Sequence, residues 1–299
     1  MPIQQRIAGH EKDLGGGFLV RRLLPAARLR ACGPFVFFDH FGPVREMPGE
    51  LHDVRPHPHI GLATVTYLFE GAMMHRDSLG TEQLIEPGAI NWMCAGRGIV
   101  HSERKPEHLK DTPFTNHGLQ LWVALPREAQ EAEPSFAHTP ASAIPSADVE
   151  SAHVRVLVGE AFGLRSPVKP ASPTLYLDIA LPAGGALVLP ALAPEMAVYA
   201  VQGQLAVDGE AIPAGHLAQL TPGVPARLSA EGRDALRLAV VGGAPLDGPR
   251  HMWWNFVHSD ASRILQASAD WEAGRFAAVP GETEFIPLPE KRFVAAPFL

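Results

Sequence analysis

Short runs of β-branched and aromatic residues, each closed by glycine or proline, recur along most of the chain. Phe35–Phe38 is one such run, and Ala63–Phe69 is a longer one that stops at Glu70-Gly71. That composition over roughly four to eight residues favours strand over helix. Met73–Ser78 and Glu82–Ile85 form a candidate pair joined through Leu79-Gly80. Pro87-Gly88 marks a turn, and Ala89–Met93 resumes extended chain. Gly16–Leu24 alternates imperfectly, and His117–Leu125 is a strong strand closed by Pro126. Helical signals are few: Ser259–Ala267 starts like a capped helix, and Asp270–Gly274 reads as a second short turn. Residues 126–145 are rich in Ala, Pro, Ser and Glu with little periodicity and read as a connector. A second strand-rich region starts near Val154 and runs to about Val241.

That second region repeats the first. Matching Tyr67 to Tyr199 also matches Gly71 to Gly203, and after a gap in the alignment Gly88 matches Gly215 and Gly96 matches Gly223. A strand ending in glycine, a turn, then a strand into another glycine is the rhythm of a small antiparallel barrel. The expected fold is therefore all-β, two tandem jelly-roll-like barrels with a few short helices near the C-terminus. The expected division is 1–130 and 131–299, with the C-terminal tail packing back on the first barrel. Counting from the matched glycines places His57 and His59 opposite Leu189 and Ala191. It places His101 and Glu103 opposite Leu228 and Ala230. One copy would then carry a polar site and the other only apolar residues.

Composition narrows the function classes. With 299 residues, 46% hydrophobic and 19% charged, the profile is that of a soluble globular protein. A net charge of -7 argues against direct nucleic-acid contact, which needs a basic face. Cys32 and Cys94 match no disulfide framework or redox motif and read as reduced thiols. Met1–Leu14 is polar, without the apolar core of a signal, and no apolar run is long enough to span a bilayer. The expected compartment is the cytoplasm, with no membrane association.

Against this background, His57-Pro58-His59 and His101-Ser102-Glu103 stand out. Alternate side chains of a strand point to one face, so each i, i+2 pair can aim two ligands the same way. Three imidazoles and a carboxylate would bind one divalent transition metal and leave coordination positions open. Fe(II) is the favoured ion, with Mn, Ni, Cu and Zn as alternatives. Glu103 could serve both as ligand and as catalytic base. Phe69, Trp92 and Met93 are candidates for lining a planar aromatic substrate, with core packing as their competing role. Arg97, between Gly96 and Gly98, faces either the site or solvent. Asp39 and His40 are either a ligand-orienting pair or a buried turn. His75, His108 and His117 lack the paired spacing and are assigned structural roles. Trp253–Phe256 is expected to pack across the two barrels.

Five segments together give the chain a resemblance to the pirin family of the cupin superfamily. They are Phe38–Pro43, Pro56–His59, Thr64–Tyr67, His75–Ser78 and Ala95–Glu103. The resemblance covers about the first 125 residues specifically and the remainder more loosely. It implies a bicupin with one mononuclear metal, usually iron, in the N-terminal barrel. The ligands it implies are His57, His59, His101 and Glu103. It brings two kinds of role: bacterial members similar to quercetin 2,3-dioxygenases, and eukaryotic members that act as nuclear, redox-responsive partners of transcription factors. Two positions depart from the pattern. Ala63 stands where many relatives carry Glu, which leaves Glu103 as the site's carboxylate. Ile60 replaces a common Arg and is expected to alter the pocket mouth. The leading expectation is a metal-dependent dioxygenase acting on a small aromatic or enediol substrate, flavonols such as quercetin among the candidates. The alternative is a redox-responsive regulator that binds a protein partner.

Overall fold

The computed structural model describes residues 1–14, 18–50 and 53–294. Gly16 and Gly17, the expected start of one strand, lie outside them. The chain forms two compact all-β units. One comprises residues 1–12, 21–40 and 142–245, the other 13–20, 41–141 and 246 onward. A single cut between residues 130 and 131 therefore does not separate them. The reason lies in strand Ile3–Ala8, which pairs antiparallel with His216–Leu220 and so joins the sheet of the later unit. The C-terminal tail, in turn, belongs to the unit that carries the candidate histidines.

In the later unit a seven-stranded and a four-stranded sheet sandwich one apolar core. Val154, Leu177, Val198 and Leu238 enter it from the larger sheet. Leu187, Leu189, Leu205, Val207 and Leu228 enter it from the smaller one. Alternation explains the selection, because every second residue of each strand is turned inward.

The histidine-bearing unit repeats this plan. Its four-stranded sheet contains Val54–His59, Ile99–Arg104, Met73–Asp77 and Glu82–Ile85 in that spatial order. The facing sheet contains Ser135–Thr139, Ile90–Cys94, Leu62–Glu70, Phe114–Ala124 and the distal part of Phe35–Glu46. Ser135–Thr139 lies inside the segment read as a connector; it pairs with Ile90–Cys94 and closes that side. Between the sheets, Phe18, Phe41, Leu68, Met73 and Ile85 form one apolar cluster, and Met93, Ala95 and Ile99 form another.

The repeat is visible in backbone detail. Gly71 and Gly203 adopt φ of 87° and 84°, and Gly88 and Gly215 adopt 80° and 73°. Tyr67 pairs with Ile90, and its counterpart Tyr199 pairs with Leu217, each two residues past the matched glycine. One offset differs from the sequence alignment. His57 lies opposite His101, whereas Leu228 lies opposite Leu187 rather than Leu189. The shift is two residues, so the same face is kept and the counterparts stay apolar.

The helical region is simpler than expected. One α-helix, Ala261–Glu272, takes in most of both predicted pieces. Asp260 caps it by accepting the Ser262 backbone N–H at 2.9 Å. Trp253–Phe256 packs within the histidine-bearing unit, where Phe256 meets Ile60, Ile264 and Ala267. No described helix is long and apolar enough to cross a membrane.

Candidate metal centre

Strands Val54–His59 and Ile99–Arg104 are antiparallel neighbours, with His57 directly opposite His101. Directly paired residues project from the same face, so His57, His59 and His101 all turn toward the space between the sheets. Their ligand nitrogens lie within 4.8 Å of one another. Among the described residues no other group of three or more His, Cys, Asp or Glu meets that criterion. The three rings are 1–6% exposed, and their centroids are 4.4–5.0 Å apart.

Backbone carbonyls orient two of the rings. His57 Nδ1 lies 2.9 Å from the Arg55 oxygen, and His59 Nδ1 lies 2.9 Å from the Asn255 oxygen. A carbonyl can only accept, so each Nδ1 carries the proton and each Nε2 keeps its lone pair. Burial drives His57 down to about 4 and holds His59 and His101 well below the usual imidazole range. The rings are therefore neutral near pH 7, the form that binds metal. His59 Nε2 and His101 Nε2 sit 3.1 Å apart. Two nitrogens each about 2.1 Å from a shared transition-metal ion would stand roughly this far apart. The donor set thus fits a divalent transition metal: buried, neutral, convergent and with lone pairs directed inward.

Glu103 is placed differently from the imidazoles. It follows His101 by two residues, but the pairing with Val54–His59 is irregular between His101 and Glu103. Its carboxylate is not part of the three-histidine group. It rests instead 3.2 Å from the Thr66 hydroxyl, which also lies 2.9 Å from Gln120 Oε1. Burial raises its pKa, partly offset by His75, Thr66 and Gln120.

Cross-strand register sorts the expected substrate-binding residues. Thr66, whose hydroxyl reaches Glu103, marks the inward face of Leu62–Glu70. Thr64 lies two residues before it, and Met93 pairs with Thr64, so Met93 shares that face. Trp92 pairs with Val65 and belongs to the opposite face. Phe69 also projects there, against Tyr67 and His117 at ring distances of 5.4 and 4.9 Å. Arg97 is solvent-facing: its side chain is 59% exposed and ion-pairs Glu133 at 2.8 Å. Asp39 binds Arg22 and His40 binds Tyr199, and all four belong to the unit without the three-histidine group. Ile60, expected at the pocket mouth, is fully buried against Phe256, because strand alternation turns it away from His59.

Several neighbours of the site carried little or no signal of their own in the sequence. Trp122 pairs with Thr64 and sets its ring edge-on to His59 at 5.2 Å. Gln120 pairs with Thr66. The Asn255 carbonyl comes from a segment 196 residues beyond His59. His75, assigned a structural role, lies in contact with His101, their rings 5.3 Å apart. Its i, i+2 spacing to Asp77 was the available clue.

Known proteins resemble this chain along most of its length. A family model described as pirin matches residues 17–123, and one described as the pirin C-terminal cupin domain matches residues 176–277. A pirin-like protein of Caulobacter vibrioides is 46% identical over 93% of this chain and 96% of its own length. A putative quercetin 2,3-dioxygenase of Pseudomonas aeruginosa is 38% identical over 90% of this chain and 84% of its own. The crystal structure of a quercetin 2,3-dioxygenase from Acinetobacter baumannii superposes with a TM-score of 0.87. It is 34% identical, with 97% of each chain covered. The chain belongs to the pirin family and has its two-cupin fold.

Proposed function

We propose that this pirin-family chain is a mononuclear metal-dependent dioxygenase that acts on a small aromatic or enediol substrate, with flavonols such as quercetin as the leading class. The observation that carries the reading is the convergence of three buried, neutral imidazoles on one point between the sheets. The names of the Pseudomonas and Acinetobacter relatives support the reaction class. His57, His59 and His101 would hold the ion, with Glu103 as fourth ligand. The donor set suits Fe(II), because it combines imidazole with carboxylate and leaves positions for exogenous ligands.

When bound, the metal supplies Lewis acidity that lowers the pKa of a substrate hydroxyl. The remaining work falls to the chain. Glu103, raised by burial, is suited to accept the hydroxyl proton. Thr66 and Gln120 fix its position from the facing sheet. Met93 and Trp122, on the inward face, form the apolar wall against which a flat substrate would lie. In this reading the protein works in the cytoplasm, where its two free cysteines stay reduced. Iron-loaded protein is expected to consume oxygen when quercetin is added. A lack of oxygen uptake with quercetin and with a panel of related enediols would contradict the reading.

The depth of the site favours one second reading. With the ligands 1–8% exposed, access for a substrate is narrow. A sealed metal would suit a redox-responsive regulator that presents its surface to a protein partner. Solvent-water relaxation in the presence of manganese-loaded protein separates the two. Rapid water exchange at the ion favours the enzyme, and its absence favours the regulator.

A further inference from the structure

His57 and His59 are each oriented by a backbone carbonyl, but His101 is not. Its Nδ1 faces another imidazole, His75 Nδ1, at 3.4 Å. The two nitrogens can make a hydrogen bond only if one of them carries the single proton between them. We propose that His75 and Asp77 together decide that question, forcing the proton onto His101 Nδ1 and so keeping His101 Nε2 free for the ion. The inference rests on the metal reading above and adds two positioning residues to it.

The geometry supplies each step. Asp77 is fully buried. Its Oδ1 accepts the backbone N–H groups of Leu79 and Thr81 at 2.9 and 3.1 Å, which pins the carboxylate at the start of a turn. Its Oδ2 lies 3.0 Å from His75 Nε2. A carboxylate only accepts, so Nε2 of His75 is the protonated nitrogen and Nδ1 is left as an acceptor. Phe136 stacks on the His75 ring at 4.4 Å and 22°, which holds the ring plane. Strand register makes the arrangement rigid: Asp77 pairs directly with His101, and His75 with Glu103, on adjacent strands. Both residues therefore share the face that carries the metal ligands. A carboxylate behind a ligand imidazole commonly fixes its tautomer and raises its basicity; here one more imidazole stands between the two.

The test uses full-length protein with zinc as a diamagnetic probe. In 15N-labelled, zinc-loaded protein, scalar coupling across a hydrogen bond is expected between His101 Nδ1 and His75 Nδ1. Zinc affinity is then measured by competition with a chromophoric chelator. His75→Phe should weaken it about 10- to 100-fold. His75→Gln, which can still accept from His101, should recover most of the loss. Asp77→Asn should weaken it comparably although it keeps the shape and an acceptor for the turn, because an amide N–H facing His75 Nε2 reverses the ring's tautomer. Thermal unfolding of each metal-free variant checks that the fold is kept. Zinc affinity unchanged in both His75→Phe and Asp77→Asn, or a zinc-loaded His101 uncoupled to His75, overturns the inference alone. Absence of any zinc-dependent shift at all three ligand imidazoles overturns the metal reading and this inference with it.

Discussion

At the scale of single residues, the imidazoles and the carboxylate have different places in the proposed function. Glu103→Gln keeps a group that Thr66 can hold but cannot take up a proton. Turnover should fall about 10²- to 10⁴-fold, the range for loss of a general base. Oxygen uptake at saturating substrate checks this, and an unchanged rate would remove Glu103 from the chemistry. The convergence of His57, His59 and His101 was legible in the sequence because a strand's period of two fixes which side chains of an HxH pair share a face. Trp122, Gln120 and His75 were not. Their place at the site depends on which strand lies beside which, and on register, neither of which one segment records. Phe69 and Trp92 show the same limit from the other side. Their strands run beside the site, yet each residue falls on the alternate position of its strand, which turns both rings away.

At the scale of elements, strand Val54–His59 is tied at its end by a segment from the C-terminal part of the chain. Val257 donates its N–H to the Ile60 carbonyl at 3.2 Å, next to the His59–Asn255 contact. Gly61, at φ +67°, allows that approach: a Cβ there would collide with the Val257 carbonyl oxygen. Gly61→Ala should therefore cost several kcal/mol, combining backbone strain with a clash. Its melting temperature and zinc affinity should both fall; a melting temperature equal to the parent's would show that this junction does not stabilise the fold. Phe256→Ala, which opens a cavity against Ile60, should cost about 3–5 kcal/mol by chemical denaturation. Most strands were readable from β-branched and aromatic runs. Ser135–Thr139 was missed because its exposed alternation is weak and two short 3-10 turns flank it. The helix was divided in two because its N-terminal pattern fades before Asp270, while Asp260 and the packing of Ile264 and Ala267 carry it on to Glu272.

At the scale of the whole molecule, two units of like topology differ in what fills them. Leu187, Leu205, Val207 and Leu228 occupy the positions that His57, His75, Asp77 and His101 take in the other, by strand pairing. The alternation was legible, but the exchange of the N-terminal strand between sequence halves was not, since Ile3–Ala8 finds its partner in His216–Leu220, far along the chain. Filling a core with imidazoles has a cost that depends on pH. His57 drops from an ordinary value of 6.5 to about 4 on folding, and His59 and His101 shift the same way. Between those values the unfolded chain binds protons that the folded chain refuses. The contribution of these groups to stability is thus complete above about pH 6.5 and is lost as pH falls toward 4. Glu103, raised by burial, acts in the opposite sense, one carboxyl against three imidazoles. The melting temperature of metal-free protein should fall between pH 7 and 5; a rise would contradict the burial of neutral rings. The most direct test of the central claim is elemental analysis of the native protein beside a folded His57→Ala/His101→Ala double variant. The account predicts one transition-metal ion per chain in the native protein and none in the variant. Equal metal content in the two would contradict it.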